Sequence, residues 1–138
     1  MLREHDAALI IGDPALGFKK EGTIVYDLSE EWYQRTGKTF VHAVIAAREG
    51  VEIGDRIVEI FRLAKQEGLM KITTIARAQA RQTGFPENLL VDYLKNKIRY
   101  NLGAEELDGL GYFQSLCHSS GLIEKKIPFK FAFDEGIS

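Results

Sequence analysis

Two apolar runs without polar alternation stand near the start of the chain, AALII at 7–11 and FVHAVIAA at 40–47. A run of this kind, stopped sharply by turn residues, predicts a strand covered on both faces. The first stops at Gly12, Asp13 and Pro14, where glycine permits a bend and proline cannot continue a hydrogen-bonded ladder. The second stops at Arg48, Glu49 and Gly50. Between them lies a helix with both ends marked: Asp27 as N-cap, Glu30 three residues on, and Gly37 past the last turn. Leu28, Trp32 and either Arg35 or Thr36 share one face of it, which lets Trp32 pin the helix to the expected sheet. The β-branched stretch 23–26 before it reads as a short edge strand.

From Val51 the period changes from strand to helix. Ile53, Ile57, Ile60, Phe61 and Ala64 fall on one face, Asp55, Arg56, Glu59, Arg62 and Lys65 on the other, and Gly68 supplies a stop. A second helix is expected over 71–83 with Gly84 at its end. A third starts at Pro86, carries Leu89, Leu90, Tyr93, Leu94 and Ile98, and closes at Gly103. A fourth, from about 104 to Gly121, carries Leu107, Leu110, Phe113, Leu116 and Cys117, with Gly109 and Gly111 either weakening it or allowing close packing. Two strands joined through a helix and followed by four helices predict an α/β fold rather than a bundle, with a self-contained α+β domain as the alternative. The tail from Ile127 to Asp134 alternates, with apolar residues at odd positions, as a terminal edge strand would; Pro128 and Lys130 blunt that edge.

The chain has 138 residues, 45% of them hydrophobic and 28% charged, which is a one-domain length able to bury a sizeable core. Eighteen basic against twenty acidic residues leave a net charge of −2, so the chain encodes no general attraction to nucleic acid or to an anionic membrane. An apolar run of roughly 18 residues, as a spanning helix needs, is absent. With no long apolar stretch at the N-terminus either, the expected compartment is the cytoplasm.

The sequence holds no Walker phosphate loop, no GxGxxG, no HExxH and no Cys/His spacing suited to zinc. Gly12 and Asp13 fall at the carboxyl end of the first expected strand, where ligands of open α/β sheets gather. Asp13 is open to two readings there, a cap of the turn or a ligand contact. Lys19 and Lys20 follow, as a solvated pair or as partners of an anion. His42, inside the second run, reads as a hydrogen-bonded core histidine or as a general base beside a cleft. Cys117, the single cysteine, reads as buried packing. Residues 72–99 can also be drawn as two helices about a glycine turn, the outline of a DNA reader, but Glu87 and Asp92 among Lys95, Lys97 and Arg99 offer phosphate little attraction.

The order DAALIIGDPAL, then VYDLSEEWYQRTGKTFVHAVIAAR, then YLKNKIRYNLGAEELDGLGYFQSLCHSSGLI resembles the chorismate dehydratase family of the futalosine route to menaquinone. That family carries Gly where Ser29 stands, Pro where Thr39 stands, and bulky aromatics at the positions of His42 and Ile45. The resemblance implies part of a type II periplasmic-binding-protein-like, two-lobed α/β fold. In it two buried strands precede about four helices, and the chain corresponds to the C-terminal half, with Met1 as an internal methionine or a late start. Residues 1–47 would then form the second lobe and a hinge strand, 48–123 helices of the first lobe, and 124–138 a tail. The resemblance further implies a hydro-lyase that removes water from chorismate without a metal or cofactor, completed by an N-terminal half or by a homodimer partner. Gly12, Asp13 and Ala15 would contact the substrate at the strand end, Phe40 and Val41 would line an apolar wall for its ring, and Asp13 would be the catalytic or positioning carboxylate. A non-catalytic binder of a small carboxylate with the same fold is the rival reading.

Overall fold

A computed structural model describes residues 5–19, 21–48 and 50–131 of the chain. Met1, Lys20, Glu49, Phe133 and Asp134, on which parts of the sequence reading rest, lie outside these residues. Among the described residues six α-helices follow in order: α1 (Asp13–Leu16), α2 (Leu28–Thr36), α3 (Asp55–Met70), α4 (Ile72–Thr83), α5 (Glu87–Asp92) and α6 (Ala104–Ser119).

The local signals act as their chemistry requires. The Asp27 carboxylate accepts hydrogen bonds from the amides of Ser29 at 2.9 Å and Glu30 at 3.3 Å, satisfying two of the orphan donors of α2. Gly37 ends that helix at φ 66°, a conformation that favours glycine, and its N–H donates to the Tyr33 carbonyl. α3 does not stop at Gly68 as expected: Gly68 stays helical, and the chain turns two residues after it, where the Lys71 amide donates to the carbonyls of both Glu67 and Gly68. A mid-helix glycine costs only about 1 kcal/mol, which the flanking turns tolerate. α5 runs into a π turn over Tyr93–Lys97, closed by the Ile98 amide donating to the Tyr93 carbonyl at 3.2 Å.

α4 and α5 pack on one another, and each carries one buried apolar residue, Ala76 on α4 and Leu90 on α5. Arg77 and Glu87 close the outside of this pair with an ion pair at 3.2 Å. A second packed region joins α2 to α6. Gly109, buried on α6, lies so close to the Thr39 carbonyl that a β-carbon there would overlap it, and Lys38 reaches Asp108 beside it at 2.6 Å. Gly109 therefore permits a close approach rather than weakening the helix.

The expectation of two buried strands is overturned. Among the described residues there is no β-strand, and the α/β reading gives way to helices joined by extended segments. Residues 7–11 are neither helix nor strand, with Leu9 74% and Ile11 82% exposed and Ala8 and Ile10 half-buried. In the run 40–47 only Phe40 and Val41 are half-buried, while Ile45 is 78% exposed. The stretch 23–26 and residues 127–131 form no strand either; the Ile127 carbonyl accepts from the Gln114 amide at 2.9 Å. The physical reason lies in what a strand is. Its hydrogen bonds are made to a neighbour, so an apolar run specifies what a neighbour would cover without placing that neighbour in the same chain. Among the described residues no helix is long and apolar enough to cross a membrane.

Candidate functional site at the first turn and the aromatic cluster

The first extended segment turns at Gly12, which holds φ 73°, into the single turn of α1 with Pro14 in its opening positions. Gly12 is thus a residue only glycine fills easily, and the turn is built around its carbonyl, which accepts from the amides of Ala15 at 2.9 Å and Leu16 at 3.4 Å. Asp13 is exposed, and among the described residues its carboxylate has no hydrogen-bond partner, so it does not act as a side-chain cap. Just past the turn, Gly17 lies against Phe85: a β-carbon on Gly17 would come within 2.8 Å of that ring. The loop between α4 and α5 therefore backs the Gly12–Ala15 turn, a contact the sequence does not announce because the two residues are far apart in the chain.

Phe40 and Val41 sit elsewhere. Phe40 is edge-on to Trp32 at 5.5 Å and to Phe113 at 5.4 Å, and Trp32 also meets Tyr112 and Phe113. Edge-to-face geometry of this kind adds about 1 kcal/mol per pair beyond burial. This cluster pins α2 to α6, not to a sheet, and Phe40 belongs to it as packing. The structure thus brings Gly12, Asp13 and Ala15 together in one turn and sets Phe40 beside Val41. No hydrogen bond or ring contact joins the two groups among the described residues.

His42 is exposed instead of buried, so its reading as a core histidine is corrected. Its Nε2 lies 2.9 Å from the Ser29 hydroxyl, and its ring is edge-on to Phe40 at 5.1 Å. Ser29 and His42, both departures from the pattern of the resembled family, meet in space. Spacing could not have paired them, because thirteen residues and a helix separate them. Trp32 Nε1 is buried in the cluster without a hydrogen-bond partner among the described residues. Cys117 is half-buried on α6, in keeping with a packing role.

Elsewhere the carboxylates with shifted acidities serve the helices. The Glu106 carboxyl is held below its ordinary value by its own main-chain amide and by that of Gly103, with Arg99 nearby, against the opposing effect of burial. Glu59 and Glu67 are lowered by hydrogen bonds from Arg62 and Lys71. Burial, with Tyr93 nearby, raises the Tyr100 hydroxyl. An open depression of about 610 Å³ runs along α5 and the π turn between Glu87, Val91, Asp92 and Lys95, on a single helical face and so without an enclosing wall. Among the described residues no group of three or more His, Cys, Asp or Glu side chains is arranged to hold a metal ion.

A sequence model for menaquinone biosynthesis matches residues 1–119 of the chain. The chain belongs to the menaquinone biosynthesis family. It is also similar to the chorismate dehydratase of Thermus thermophilus, 36% identical over 128 residues, with 80% of this chain and 46% of the relative covered. The chain thus spans about half the length of that relative. No solved structure matches the chain.

Proposed function

We propose that this member of the menaquinone biosynthesis family acts as part of a chorismate dehydratase, removing water from chorismate to give 3-[(1-carboxyvinyl)oxy]benzoate in the cytoplasm, on the futalosine route. The observation that carries this reading is the likeness to the Thermus chorismate dehydratase, which falls on a chain whose family membership extends over residues 1–119. The chain corresponds on this reading to the C-terminal half of such an enzyme, and a further polypeptide, an N-terminal half or a second copy, completes the site.

The reaction removes a ring proton and a hydroxyl group. The electron pair of the broken C–H bond forms a ring double bond, the C–O bond breaks, and the hydroxide leaves with a proton as water. No electrons are gained or lost overall, so the step itself calls for a proton acceptor, donors for the substrate carboxylates and exclusion of bulk water. The main-chain amides of Gly12 and Asp13, free of hydrogen bonds among the described residues, are assigned to a substrate carboxylate. Ala15, whose amide already serves the Gly12 carbonyl, gives the turn its shape and a small apolar contact. The Asp13 carboxylate accepts from the substrate hydroxyl and so positions the leaving group. Val41, beside the aromatic cluster, offers an apolar edge for the ring, with Phe40 holding that edge in place.

The test is chorismate consumption followed by mass spectrometry, with the chain by itself and with the chain co-expressed with the portion of the Thermus enzyme it does not span. Dehydrated product from the combination supports the dehydratase reading. Chorismate bound by the combination with no product replaces it by a non-catalytic carboxylate binder. In an active combination, Asp13→Ala is expected to lower turnover at least tenfold, and unchanged turnover and affinity would remove Asp13 from the site.

A further inference from the structure

The chain exposes 11990 Å² of surface. A compact protein of 15.6 kDa exposes about 7,200 Å². The excess is of the size that obligate interfaces cover, roughly 2,000–5,000 Å². Part of it is apolar and lies in stretches that are neither helix nor strand, where Leu9, Ile11, Ile24, Tyr26, Val44 and Ile45 are each at least half exposed. The backbone of 7–11 and of 42–47 is equally unengaged, for no hydrogen bond among the described residues uses its amides or carbonyls. Extended backbone can be covered only by something that supplies hydrogen bonds to it, which selects another length of polypeptide over a small molecule or a lipid.

We propose that the segments 7–11 and 42–47 form the docking surface for one occupant, the polypeptide equivalent to the part of the Thermus chorismate dehydratase that this chain does not span. The length of chain decides the occupant. The chain covers 46% of that relative, so the remainder is a polypeptide of slightly more than this chain's own length, enough to cover the excess surface. This deepens the proposed function and rests on it for the choice of partner. The packed regions, α4 on α5 and Trp32 with its aromatic neighbours, already have their partners within the chain and stay as they are on docking.

The experiment co-expresses the full chain, tagged, with that portion of the Thermus enzyme, and reads mass by light scattering and main-chain amide exchange by mass spectrometry. The expected result is a one-to-one complex in which amides within 7–11 and 42–47 exchange at least a hundredfold more slowly than in the chain by itself, where unbonded amides exchange fast. Leu9→Asp and Ile45→Asp are each expected to weaken the complex at least tenfold while leaving the helical circular dichroism of the chain by itself unchanged. Three results would overturn the proposal: no complex on co-expression, a homodimer that protects the same amides, or slow exchange in those segments in the monomeric chain. Turnover is a separate readout. A complex that does not consume chorismate removes the dehydratase reading and leaves the docking surface standing; consumption by the chain without a complex does the reverse.

Discussion

The aromatic cluster around Trp32 and the segment 7–11 are both strongly apolar in sequence, and they are covered to very different degrees, with only Ala8 and Ile10 of the segment half-buried. Trp32 meets Phe40, Tyr112 and Phe113, and Gly109 lets α6 close on Thr39. Leu9 and Ile11 meet water. The run 40–47 contains the contrast within itself: its first two residues are half-buried beside the cluster and the rest are exposed. Hydrophobic pattern states how much a segment gains from being covered. It does not say which polypeptide does the covering.

Removing a partner from the packed side tests the contrast most severely. Trp32→Ala is expected to cost about 3 kcal/mol, as large-to-small changes at aromatic cores do, read as a lower urea midpoint of the helical signal. Gly109→Val should cost about 2 kcal/mol by forcing α6 away from Thr39; a stability equal to wild type would mean that the close approach is dispensable. Glu106→Gln sharpens the picture by pH. The folded chain holds Glu106 below its ordinary value, so its contribution is complete above the ordinary carboxylate range of about 4.3 and is lost as the pH falls through the lower folded value. The variant should unfold at lower urea than wild type at pH 7, and the gap should close in acid. The smallest effect belongs to the open side: Leu9→Ser and Ile11→Ser should each change the stability of the chain by itself by less than about 0.5 kcal/mol. A large loss there would show that these side chains already have partners within the chain.

What could be read from the sequence was local. The caps of α2 at Asp27 and Gly37 and the turn at Gly12 depend on residues within a few positions of one another, and each formed where the spacing put it. The later helices likewise follow the apolar period, except that α3 passed through Gly68 and the third expected helix ended in the π turn at Lys97, short of Ile98 and Gly103. The strands were misread because a strand's stability resides in neighbours, and the described residues provide none. At the candidate site, the turn carrying Asp13 was legible, but its backing by Phe85 and the pairing of Ser29 with His42 were not, since both join residues that only the fold brings together. A helix at 28–36 and a histidine at 42 give no hint of a shared hydrogen bond until the chain has turned at Gly37.

Trp32 is the only tryptophan of the chain, and its indole nitrogen is buried without a hydrogen-bond partner among the described residues. The protein therefore carries one indole fluorophore, placed at the junction of α2, Phe40 and α6 with its ring nitrogen sheltered from water. Its emission is blue-shifted while that junction holds and moves to the red when the rings part, giving an optical gauge of a single interface. Titrating a partner or a ligand against that colour separates events that loosen the α2–α6 junction from events confined to the extended segments.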